Sequence, residues 1–248
     1  MIEEKFALGN SVFHKADPVV KLVGAACLLP FVAVNDDLKV ILMGLFFGIF
    51  FVLLASLELR HVLKHLVVVN IFMFFLWIVL PFSGSGEVLY YFGPLAVYKK
   101  GVELPLLITL KANGVSLLII SLLSTSSVQR LGNGLRQLGV SVQFTILLLT
   151  TFRYLGVIMQ EYGRLRRAAK LRRFKPGLSL HTYRTYAYLI AMTFVRSYEQ
   201  GNRVNNAMIM RGFSGTFPIM DLPSKNSDYK VGTLLALSFT ILIAVSII

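Results

Sequence analysis

The sequence predicts an all-α, polytopic membrane protein with about five transmembrane helices (range about 4–6) and a cytoplasmic helical region. Composition, charge distribution and the lengths of the apolar runs carry this prediction. Hydrophobic residues fill 56% of the 248 positions and charged residues 15%, with a mean hydropathy of +0.70. A soluble domain has an apolar share of roughly 45–50%. Lys and Arg outnumber Asp and Glu 25 to 12. No nucleic-acid module or aromatic stacking platform accompanies that excess, so nucleic acid is not expected as a partner. The lipid bilayer and the positive-inside rule account for it.

The first helix is expected to begin at Asp17-Pro18, where Asp caps and Pro suits the first turn, and to reach Val34. Asn35-Asp36-Asp37 forms an acidic turn. The run Leu38 to Leu57 carries only Lys39 and leads into Glu58-Leu59-Arg60-His61-Val62-Leu63-Lys64-His65, read as an interfacial cytoplasmic segment. Leu66 to Phe82 is uncharged, and Ser83-Gly84-Ser85-Gly86 breaks it with turn residues. An external loop then extends to Lys99-Lys100. The run Gly101 to Ser127 contains Glu103, Pro105 and Lys111, so its outer part is expected to tilt, kink or meet water. Val231 to Ile248 is uncharged and forms the last span.

Residues 128–230 hold 16 of the basic residues against Glu161, Glu199, Asp221 and Asp228. Four preceding spans return the chain to the side on which it started, so this block and the N-terminus are assigned to the cytoplasm. Only Lys39, Lys99, Lys100 and Lys111 then fall elsewhere, leaving 21 of 25 basic residues inside. The division is 1–127 for transmembrane helices one to four, 128–230 for cytoplasmic or interfacial helices, and 231–248 for the final span. The apolar stretches Val140 to Phe152 and Tyr186 to Val195 imply long amphipathic helices along the inner surface; a six-span arrangement would insert one of them and require a second by parity. Cys27, the single cysteine, is expected to face lipid or core, and Met1-Ile2-Glu3-Glu4-Lys5 does not resemble a secretory signal.

Within the basic block two heptapeptides match. Ala168-Ala169-Lys170-Leu171-Arg172-Arg173-Phe174 and Ala207-Met208-Ile209-Met210-Arg211-Gly212-Phe213 lie 39 residues apart. Ala and Arg four residues apart share a helix face, the small side chain one turn before the guanidinium. Gly212 suits a left-handed helix end. Arg173 stands in its place in the first copy, so that helix is expected to continue further and stop before Pro176-Gly177, giving tips of unequal shape. Phe174 and Phe213 read as apolar anchors beside the cations. Attraction to anionic lipid would explain the charge; the repeated Ala and Phe favour docking on an acidic partner.

On these residues the chain resembles the transmembrane T component of energy-coupling factor importers, in particular the cobalt/nickel CbiQ-like branch. Asp17-Pro18-Val19-Val20-Lys21-Leu22 also resembles that family's Asp-Pro-Arg-x-Lys-Leu, with Val19 in place of Arg. The resemblance implies a non-enzymatic coupling subunit in a bacterial or archaeal cell membrane. Its partners would be two cytoplasmic ABC-type ATPase subunits and a membrane substrate-binding subunit. The interface would comprise Ala168, Arg172, Arg173, Phe174, Ala207, Arg211, Gly212 and Phe213. Whether Arg172 or Arg173 leads the first contact stays open, as does the cargo: cobalt, nickel or a vitamin.

No phosphate-cradling loop occurs, so any ATP hydrolysis is expected in partners. Gly132-Asn133-Gly134 lacks the third glycine of a dinucleotide fingerprint and is read as a turn. His61 and His65 have helical metal-ligand spacing but no further ligand beyond Glu58, so neither a metal nor a cofactor is expected. The competing class is a membrane-embedded enzyme acting on lipid or peptide through Glu103, Lys111 or the basic block; no nucleophile or base constellation supports it. A self-contained channel would have no use for duplicated tips.

Overall fold

The computed structural model describes residues 9, 11–83, 88–92, 95–213 and 228–247. They form α1 (Val12–Lys15), α2 (Pro18–Val34), α3 (Leu38–Leu54), α4 (Leu59–Ser83), the strands β1 (Val88–Phe92) and β2 (Leu95–Tyr98), then α5 (Lys99–Leu122), α6 (Val128–Gln137), α7 (Val142–Leu171), α8 (Leu180–Met210) and α9 (Asp228–Ile247). The chain is an all-α polytopic membrane protein, and the connection between α4 and α5 carries one antiparallel hairpin that pairs Val88 with Tyr98 and Phe92 with Leu95.

Local chemistry sets the helix starts. Asp17 accepts from the Val19 N–H at 3.0 Å with Pro18 in the first turn, as the sequence indicates. Of the segment read as interfacial, Glu58 to His65, all but Glu58 is the first part of α4 and continuous with the apolar run. Of Ser83-Gly84-Ser85-Gly86 only Ser83 lies among the described residues, as the last of α4. The calls on Met1 to Lys5, Asp221 and the closing Ile248 fall outside them.

By length and composition α4, α5, α7 and α9 are each capable of crossing a membrane, while α2 and α3 are shorter apolar helices. The chain divides into two compact units, one containing α1–α6 with α9 and the other α7 with α8. In the first, Leu28, Val32, Val40, Phe51, Leu118, Leu122 and Leu242 form the core. Glycines bring α3 and α5 close: a Cβ on Gly48 would stand 2.9 Å from Leu117 Cβ and 3.2 Å from the Gly114 carbonyl oxygen. Helix α4 joins α5 through a reciprocal amide pair, Asn70 Nδ2 to Asn113 Oδ1 at 2.8 Å and Asn113 Nδ2 to Asn70 Oδ1 at 3.2 Å. Its other faces expose Val68, Ile71, Phe72, Phe74 and Phe75, an apolar surface suited to lipid.

Gly132-Asn133-Gly134 is not a turn. It lies inside α6 with both glycines buried. A Cβ on Gly134 would meet Leu22 Cδ1 at 3.0 Å and Pro18 Cβ at 3.2 Å, so the glycines admit close packing of α6 on α2 and outweigh its lower helix propensity. Cys27 is exposed on α2.

Candidate functional site: two matching helix ends

Helices α7 and α8 make up the second unit and carry both heptapeptides at their C-termini. Each begins with a serine cap. Ser141 accepts from the Phe144 N–H, and Ser179 from the Thr182 N–H at 3.3 Å. Gly177 N–H donates to Thr182 Oγ1 at 3.3 Å, closing the corner between the helices. Further along, Glu161 on α7 receives hydrogen bonds from Arg196 on α8 and from Arg164 at 3.2 Å. That ion pair spans the two helices beside a cavity of about 860 Å³ lined by Leu147, Tyr154, Ile158, Val204 and Met208 among others.

The two tips close in the same way. At the end of α7, Arg173 N–H donates to the Lys170 carbonyl at 3.0 Å and Phe174 N–H to the Ala169 carbonyl at 3.1 Å. At the end of α8, Gly212 N–H donates to Ile209 at 2.9 Å and Phe213 N–H to Met208 at 3.0 Å. Both are Schellman closures, which satisfy carbonyls that a helix end would otherwise leave unpaired. The first helix therefore does not run on toward Pro176, as the missing glycine suggested. It stops at Leu171, with Arg172 as its cap and Arg173 left-handed at φ 63°. Arg172 is thus the structural equivalent of Arg211, and Arg173 the equivalent of Gly212.

Ala168, Arg172, Arg173, Ala207, Arg211 and Gly212 are exposed. Among the described residues none of the three arginines has an ion-pair partner, whereas Arg164, Arg196 and Arg203 each pair with a glutamate. The ring of Phe174 is half-buried and packs edge-on against Tyr186 at 5.7 Å and His181 at 6.3 Å, so it fastens the α7–α8 corner. Phe213 is half-buried as well. Because the first tip adjoins the start of α8 and the second terminates it, the 31 residues of α8 hold the tips about 46 Å apart at about 1.5 Å per residue.

The residues considered for lipid or peptide chemistry are not brought together. Lys111 donates to Asp36 at 2.6 Å and to the Ala33 carbonyl at 3.2 Å, while Glu103 is exposed on α5. His61 meets Glu58 at 2.9 Å. Sequence reasoning missed the Glu161–Arg196 pair; a carboxylate isolated among Arg164, Arg166 and Arg167 was the available signal.

A family model described as cobalt transport protein, CbiQ, matches residues 9–220. The energy-coupling factor transporter transmembrane protein EcfT of Exiguobacterium sibiricum is 24% identical over 87% of this chain and 86% of its own length. The EcfT of Thermosediminibacter oceani is 23% identical over 84% and 82%, and that of Bacillus subtilis 25% identical over 87% and 85%.

Proposed function

The chain belongs to the CbiQ family, and from that premise we propose that it is the non-enzymatic coupling subunit of an ATP-driven energy-coupling factor importer. It is a multi-pass membrane protein. In this reading the helix ends capped by Arg172 and Arg211 each dock on one of two cytoplasmic ATPase subunits and convey their movement to the membrane helices and to a separate substrate-binding membrane subunit. The basic block and the N-terminus face the cytoplasm in this reading, in keeping with the positive-inside rule and the 16 basic residues concentrated in residues 128–230. A cobalt or nickel ion is the proposed cargo, cobalt being the one the family's description names.

The observation that carries this reading is the pair of identically closed, outward-facing tips. A Schellman closure fixes the last turn, so the preceding alanine leaves room one turn before the guanidinium. Arginine supplies a multidentate donor matched to carboxylates, and it lies at the negative end of the helix dipole. Two such ends on one unit about 46 Å apart, set by helix length, suit two separate partner surfaces better than a single headgroup.

Co-expression with the ATPase and substrate-binding subunits tests the proposal. Arg211→Glu is expected to abolish copurification of ATPase and metal-ion uptake while membrane insertion persists. Normal assembly and uptake would overturn it.

A further inference from the structure

Lys21 on α2 is fully buried. Its ammonium donates to Thr125 Oγ1 at 3.1 Å and to Ser126 Oγ at 2.6 Å, and among the described residues no carboxylate meets it. A buried ammonium held by neutral oxygens has lost its hydration without gaining a counter-charge. An ionisable side chain so placed in a membrane helix is a mark of function.

Thr125 and Ser126 belong to the elbow 123–127, where α5 gives way to α6. The Ser124 N–H reaches back to the Ile119 carbonyl at 3.3 Å, the Ser126 N–H to Leu123 at 3.1 Å, and Ser127 caps α6. Thr125 Oγ1 donates to the Ser121 carbonyl at 2.9 Å, which leaves its lone pairs to accept from Lys21. Two more contacts fasten the same connection at the start of the chain's first helices. Arg130 Nη1 donates to the His14 carbonyl at 3.0 Å, and α6 rests on Pro18 and Leu22 through Gly134. Beyond α6 the backbone turns at Gly139, φ 88°, the first residue after the α1–α6 stretch. Every covalent path from α5 to the arginine-tipped helices thus passes through the elbow that Lys21 holds.

We infer that Lys21 is a positioning residue for force transmission, its buried ammonium fastening the α5–α6 elbow to α2 so that displacement reaches the membrane helices instead of being absorbed in the turn. This rests on the coupling reading above. A neutral side chain of similar length would fill the space without holding the hydroxyls.

The test uses the full complex with its ATPase and substrate-binding subunits, measuring uptake and ATP hydrolysis in one reconstituted preparation. Lys21→Met is expected to assemble and hydrolyse ATP, with uptake per ATP falling roughly ten-fold. Ser126→Ala, which removes the shorter of the two bonds, is expected to give a smaller loss of the same ratio. An unchanged ratio in Lys21→Met overturns the inference. So does a Lys21→Met chain that fails to assemble beside a Ser126→Ala complex with a normal ratio, since that pattern marks a purely structural lysine. Arg211→Glu in the same assay separates the two readings. If it assembles and transports normally, the coupling reading falls and the fastening role with it; if it is disabled while Lys21→Met is normal, only the fastening role falls.

Discussion

Arg173 and Gly212 occupy the same place one residue past the caps of α7 and α8, both left-handed, at φ 63° and φ 80°. Glycine adopts that conformation freely; an L-residue with a Cβ is strained there by about 1–2 kcal/mol. The first tip is closed against this preference by its two backbone hydrogen bonds and by the packing of Phe174 on Tyr186.

Arg173→Gly should therefore stabilise the α7 end by about 1 kcal/mol, and Gly212→Val should destabilise the α8 end by at least that much. Thermal unfolding of the detergent-solubilised protein reads both, with opposite signs.

Phe174→Ala removes two edge-on ring contacts, each worth about 0.5–1.5 kcal/mol. Faster amide exchange is expected from Arg172 to Tyr186, with exchange around Arg211 unchanged. Equal acceleration at both tips would show that Phe174 does not act at the corner.

What the sequence disclosed and what it hid have separate physical causes. The start of α2, the apolar runs and the Ala-x-x-x-Arg spacing are local signals, and they were legible, although α9 begins at Asp228, three residues before the expected Val231. Closure of the first tip was not legible, because a helix-end rule built on glycine does not anticipate an arginine whose strain is offset by tertiary packing. The ring contacts of Phe174 were hidden for the same reason: Tyr186 and His181 lie on the next helix. The Gly132 to Gly134 stretch looked like a turn, since the contact that favours glycine there comes from Pro18, more than a hundred residues earlier. The partners of Lys21, Thr125 and Ser126, are equally remote. The β1–β2 hairpin was foreshadowed by aromatic and β-branched residues on either side of Gly93-Pro94.

Close packing of α3 on α5 predicts a contrast between two glycines. Gly48→Val places its methyls against Leu117 and the Gly114 backbone and should cost about 1–3 kcal/mol by overpacking. A Cβ on Gly156 meets nothing within 4 Å, so Gly156→Ala should be neutral or stabilise α7 by up to about 1 kcal/mol. Unfolding in a graded denaturing detergent distinguishes them.

The Asn70–Asn113 pair predicts non-additivity. Asn70→Leu alone leaves the other amide without its cross-helix partner and should cost about 0.6–1.7 kcal/mol. Replacing both with Leu should cost less than the sum of the single changes. A double-mutant cycle on stability supplies the coupling energy; a value of zero would mean the two amides do not support one another.

The central claim is that Arg172 and Arg211 each engage an ATPase subunit, and the most direct test is the ATPase content of complexes purified through this chain. Arg172→Glu and Arg211→Glu should each reduce it, with a loss of about 2–5 kcal/mol per reversed contact, and the doubly reversed chain should retain none while inserting normally. A doubly reversed chain that purifies with its full complement of ATPase would contradict the claim.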